Sequence, residues 1–146
     1  MPALYSVIWP ALRFTEPQTI LQGYIEAGPL ARTTYKSISA VNAAREFLLI
    51  DSRGEQYQVR NMRTRKAPGP FKRAILSATN AFVDVEIDLV HVSSIALEEL
   101  KDKIKLNLDA FPEFWEESDD VAELKAKLDK CTSIDSIFAL RFLGIK

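Results

Sequence analysis

Asp84, Glu86 and Asp88 are the residues of this chain best spaced for chemistry. They alternate with Val83, Val85, Ile87 and Leu89, a period of two that predicts a half-exposed strand. On one strand face their Cα atoms repeat every ~6.8 Å. Carboxylates at that spacing could hold a divalent cation for phosphodiester cleavage. Metal nucleases also need a lysine or histidine close by, and no Glu-x-Lys stands on this strand. A solvated sheet face whose acids pair across strands with arginines such as Arg60 accounts for the pattern more simply.

Arg60, Arg63, Arg65, Lys66, Lys72 and Arg73 place six cations between residues 60 and 73 with no acid among them. Such a segment could follow a phosphate backbone. Only Met62 and Phe71 are interleaved, which is no repeated stacking platform, so nucleic acid is an unlikely partner and duplexes should not bind at physiological salt. Between residues 111 and 120, Phe111, Phe114 and Trp115 sit among five acids: Glu113, Glu116, Glu117, Asp119 and Asp120. Tryptophan is a frequent interface anchor, and surrounding acids would steer a basic partner. The same aromatics could instead fasten a helix connection to the core, with Asp119 and Asp120 complementing a helix N-terminus.

Little else suits catalysis. His91 closes the alternating strand on its apolar parity and is expected as a satisfied core histidine. Cys131 falls on an apolar helix face and is expected as a small buried hydrophobe. One cysteine and one distant histidine give no zinc spacing and no internal disulfide. No Gly-x-Ser-x-Gly or Gly-rich phosphate loop is present. The chain is therefore expected to be metal-free, cofactor-free and non-enzymatic.

The elements that must position these groups come from the apolar pattern. A length of 146 residues suits one domain, 1–146, that buries about two-thirds of its unfolded surface. Charge divides along it: residues 1–73 carry +6 and residues 74–146 carry −7, for a net −1. No apolar run reaches ~18 residues, and the first ten residues lack the basic start of a signal peptide, so a cytoplasmic protein with no membrane partner is expected. Leu4–Trp9 is a β-type run. Thr15 and Pro17 offer a helix start through Ile20, Leu21 and Ile25, with Gly23 against it. Ser39–Glu46 suggests a second short helix. Phe47–Ile50 is a strand covered on both faces, Asp51-Ser52-Arg53-Gly54 a turn with Gly54 at positive φ, and Glu55–Met62 its hairpin partner. Ala67-Pro68-Gly69-Pro70 reads as a surface loop. A helix over Ser94–Phe111 buries Leu97, Leu100, Ile104, Leu108 and Phe111. A second opens on a capping box at Asp120–Glu123, and Thr132–Asp135 caps a third.

The expected fold is α+β: a mainly antiparallel sheet of about four strands with helices packed on one face and a helical C-terminal third. Those helices would cover Val83, Val85, Ile87 and Leu89.

The hairpin Phe47–Val59, the segment Phe114-Trp115-Glu116-Glu117-Ser118 and the helices over Val121–Lys130 and Thr132–Leu140 together resemble small immunity proteins encoded beside bacterial polymorphic toxins. The resemblance covers residues 47–62 and 94–140. It implies a cytoplasmic protein–protein inhibitor that binds a cognate toxin domain and occludes it. An acidic inhibitor surface would imitate phosphate to a toxin that acts on nucleic acid. The rivals are a nucleic-acid-associated protein using residues 60–73 and a metal-dependent nuclease using Asp84, Glu86 and Asp88.

Overall fold

Alternation on three successive hairpin-type pairings builds the molecule. The computed structural model describes residues 7–16, 20–24, 32–43, 46–116 and 120–140. The strands are β1 (Ala11–Glu16), β2 (Ile20–Tyr24), β3 (Arg32–Thr34), β4 (Glu46–Asp51), β5 (Glu55–Thr64) and β6 (Phe82–Ser94). The helices are α1 (Tyr35–Ala43), α2 (Pro70–Ala78), α3 (Leu97–Ala110), α4 (Pro112–Glu116), α5 (Val121–Asp129) and α6 (Ile134–Phe138). The fold is α+β. Five strands run antiparallel in the order β2-β1-β4-β5-β6, and the three-residue β3 pairs with the start of β6.

The sheet is thus wider than the four strands expected. The extra width comes from residues 11–24, where a hairpin replaces the helix expected from Thr15: Ala11–Thr15 pair with Ile20–Tyr24. Pairing β1 between β2 and β4 satisfies both of its edges, which outweighs the helical spacing of Ile20 and Leu21. Helix α1 begins four residues before Ser39, and Glu46 belongs to β4. Val7–Trp9 form no strand, while Leu4–Ser6 lie outside the described residues.

Apolar residues on both faces of β1 and β4 create two cores. Leu12, Phe14 and Ile50 face Leu100, Ile104, Leu108, Leu124, Leu128 and Ile137 of the later helices. Ala11, Phe47 and Leu49 face the other way and join Tyr57, Val59, Met62, Val85, Ile87 and Leu89, with Ile38 of α1 packed against them. Two expectations are corrected here. Helices lie on both faces of the sheet, and the apolar side of β6 packs with the second core, not against the C-terminal helices. Each fully buried leucine here contributes about 1.5–3 kcal/mol.

The β4–β5 turn forms where the sequence places it. Asp51, fully buried, accepts from the backbone N–H groups of Arg53 and Glu55 at 2.9 and 3.1 Å, and Gly54 sits at φ 83°. Pro-Gly-Pro is a loop only as far as Gly69. Pro70 then opens α2, since the first helical position needs no N–H donor. α3 starts at Leu97, because Ser94 still pairs in β6. Asp120 precedes α5 without a side-chain cap, so the capping box expected there is absent. Ser133 does cap α6, reciprocally with Ser136.

Candidate functional site

A bulge in β5 decides what the acidic strand can do. The β5–β6 register shifts between Val59 and Asn61, so Met62 turns into the core and Arg63 to the opposite face. The Asn42 side chain of α1 holds the bulge, accepting from Met62 N–H at 2.8 Å and donating to its carbonyl at 2.9 Å. Arg63 then spans two carboxylates: Nη1 donates to Asp88 at 2.6 Å and Nη2 to Glu86 at 3.0 Å. The hydrogen bond to Asp88, then its charge, raise the Arg63 pKa. Asp84 is bridged by Arg32 of β3 at 3.4 Å. The cross-strand cations are therefore Arg63 and Arg32 in place of Arg60. Among the described residues, no three His, Cys, Asp or Glu side chains are grouped to hold a metal.

His91 is not a core histidine. Its side chain is about half exposed, packs edge-on against Tyr57 with ring centroids 5.5 Å apart, and donates to Glu55 Oε2 at 2.5 Å. Ser94 donates to Glu55 Oε1 at 2.9 Å. The His91 hydrogen bond, then that of Ser94, hold the Glu55 carboxyl below its usual range. Imidazole and hydroxyl both serve one carboxylate, so the cluster does not present a serine to a histidine base. Sequence reasoning missed it because its members lie 36 and 39 residues apart.

The connection around residues 111–120 divides in two. Trp115 is only 7% exposed and belongs to the first core, its indole N–H donated to Asn107 Oδ1 at 3.1 Å. Of the two places the sequence allows it, interface anchor or core, the ring lies in the core and packs α4 against α3. Glu113 and Asp120 are exposed. Glu116 ends α4, and Glu117 and Asp119 lie outside the described residues. The accessible apolar groups on this side are Leu106, 65% exposed, and Phe111, 38% exposed. Leu106 stands on an outward stripe with Glu99, Asp102 and Asp109, all exposed, at steps of three and four along α3. Lys125 of α5 reaches Asp109 at 2.5 Å, and Lys105 reaches Asp129 at 2.5 Å, which lowers the Asp129 pKa.

The basic segment gathers around a groove. Arg65, Lys66 and Pro68 of the loop, Lys72 and Leu76 of α2, Arg32 of β3, and Phe82 and Asp84 of β6 line a cavity of about 320 Å³. Phe82 is 63% exposed, and Phe71, in the first turn of α2, is 81% exposed. Met62, counted from sequence as interleaved with these cations, is buried. Arg60 is exposed on β5.

Comparison with known protein families, with curated proteins and with solved structures finds no match in any of the three. Among the described residues, no helix is long and apolar enough to cross a membrane.

Proposed function

We propose that the protein acts by binding and not by catalysis, as an inhibitor of immunity type that docks on a cognate bacterial toxin domain and occludes it in the cytoplasm. The observation that supports this most is the outward face of α3, where the exposed Leu106 stands between Asp102 and Asp109. An exposed apolar side chain on a stripe with Glu99, Asp102 and Asp109, the last of them also holding Lys125 of α5, suits a partner with a basic groove. The acids speed association, and the leucine supplies the contact that loses water. Glu113 and Asp120 extend the same negative surface toward the α4–α5 connection. A toxin domain that acts on nucleic acid offers such a groove, and carboxylates there take the place of phosphates.

The test is co-purification from the cells of origin, followed by assay of the captured protein's activity with and without added chain. The expected result is a basic, stoichiometric partner whose activity is abolished at equimolar chain and which Leu106→Lys fails to capture. No stoichiometric partner, a partner whose activity is unaffected, or undiminished capture by Leu106→Lys would contradict the proposal.

A further inference from the structure

A second surface has a different chemistry and shares no residue with the α3 face. The groove lies at the end of the β5–β6 pair where Thr64 meets Val85, whereas α3 follows the other end, where Glu55 meets Ser94. Elsewhere in the described residues, cations stand against carboxylates: Arg53 against Asp51, Arg63 against Glu86 and Asp88, Lys105 against Asp129, Lys125 against Asp109. Around the groove, Arg65, Lys66 and Lys72 are exposed and have no acidic partner among the described residues. Only Arg32 is matched there, by Asp84. Like charges left unpaired around one concavity repel one another, and an anionic occupant relieves that repulsion.

We infer that this groove binds single-stranded nucleic acid. The cations provide a track for phosphates, and Phe82, exposed in the groove, provides a face on which an unpaired base stacks. Sequence alone discounts nucleic acid for want of stacking residues near residues 60–73. The fold supplies Phe82 from β6 and Arg32 from β3, both distant in sequence. The groove, about 320 Å³, is open to an unpaired base, whereas a duplex turns its bases inward and presents no face to Phe82. The Phe82 ring also separates this occupant from an acidic peptide, which would use the cations and leave the phenyl face unused.

The test is fluorescence anisotropy with labelled oligo(dT), a labelled duplex of equal length and polyglutamate of equal charge as competitor, across a salt titration. The single strand is expected to bind in preference to the duplex, with an affinity that falls as salt rises by a log–log slope of about −0.7 for each phosphate held. Lys66→Ala with Lys72→Ala should weaken binding and flatten that slope. Phe82→Ala should weaken binding about tenfold and leave the slope unchanged, since stacking releases no counterions. These positions are exposed, and an unchanged melting temperature checks that each variant is folded. Absence of single-strand binding at low salt, equal affinity for duplex, equal competition by polyglutamate, or indifference to Phe82→Ala would each overturn the inference.

Discussion

Trp115 and Phe82 each stand among like charges, one with acids around it and one with bases, and the fold treats them oppositely. Trp115 turns inward because α4 follows α3 at once and Asn107, on the buried stripe of α3, offers its indole an acceptor. Phe82 opens β6 on the parity of Asp84, Glu86 and Asp88, opposite the face of Val83, Val85, Ile87 and Leu89 that joins the second core. Charge around an aromatic therefore does not identify an interface. What separates the two cases is whether a polar partner inside the core can satisfy the aromatic and whether an element packs over it.

The largest effect that sharpens this contrast is on stability. Trp115→Ala should lose about 3–5 kcal/mol in denaturant unfolding, as for other buried tryptophans. Phe82→Ala should stay within about 0.5 kcal/mol of the parent. Equal losses would erase the distinction.

Two glycines extend the comparison to the backbone. A Cβ on Gly54 would lie 2.5 Å from Ile134 Cδ1 and 3.3 Å from the Ile95 carbonyl oxygen, at a φ of +83° that suits glycine. Gly54→Val should cost about 2 kcal/mol or more. Gly69, before α2, has nothing within 4 Å of such a Cβ, and its φ of −67° suits any residue. Gly69→Ala should leave the melting temperature near that of the parent.

A smaller loss, about 1–2 kcal/mol, is expected for Asn107→Leu, which removes the acceptor of the buried indole N–H. Near-UV circular dichroism on the same variant reports whether the Trp115 ring keeps its setting.

The smallest effect concerns acid stability. Glu55 has its pKa lowered from 4.5 by the His91 and Ser94 hydrogen bonds. A carboxyl depressed in the folded state contributes stability above its unfolded value and loses it as pH falls through the folded one. Melting temperature should thus fall below about pH 4.5, and Glu55→Gln should flatten that limb without steepening it.

Local signals in the sequence carried well. The β4–β5 hairpin was legible because Asp51 and Gly54 encode the turn within four residues, and Cys131 was legible as a buried hydrophobe from helical spacing. Non-local pairing did not carry. Nothing near Thr15 announces that β1 will be enclosed by β2 and β4, and the bulge that chooses Arg63 over Arg60 depends on the register with β6. Of the acids in residues 113–120, Glu113 and Asp120 are exposed, while Trp115 is buried and Leu106 of α3 is an accessible apolar group. Its signal was present as a leucine at an acidic position of the α3 stripe. The groove was half legible: its loop cations are contiguous, whereas Arg32 and Phe82 arrive through the β3–β6 pairing.

The central claim is that the two charged surfaces work separately, the α3 face on a protein and the α2 groove on a nucleic acid strand. Its most direct measurement is the affinity of Phe82→Ala and Leu106→Lys for labelled oligo(dT), side by side with the parent. Phe82→Ala is expected to bind about tenfold more weakly, and Leu106→Lys to bind as the parent does. Parent-like binding by Phe82→Ala, or a change of similar size in Leu106→Lys, would contradict the division.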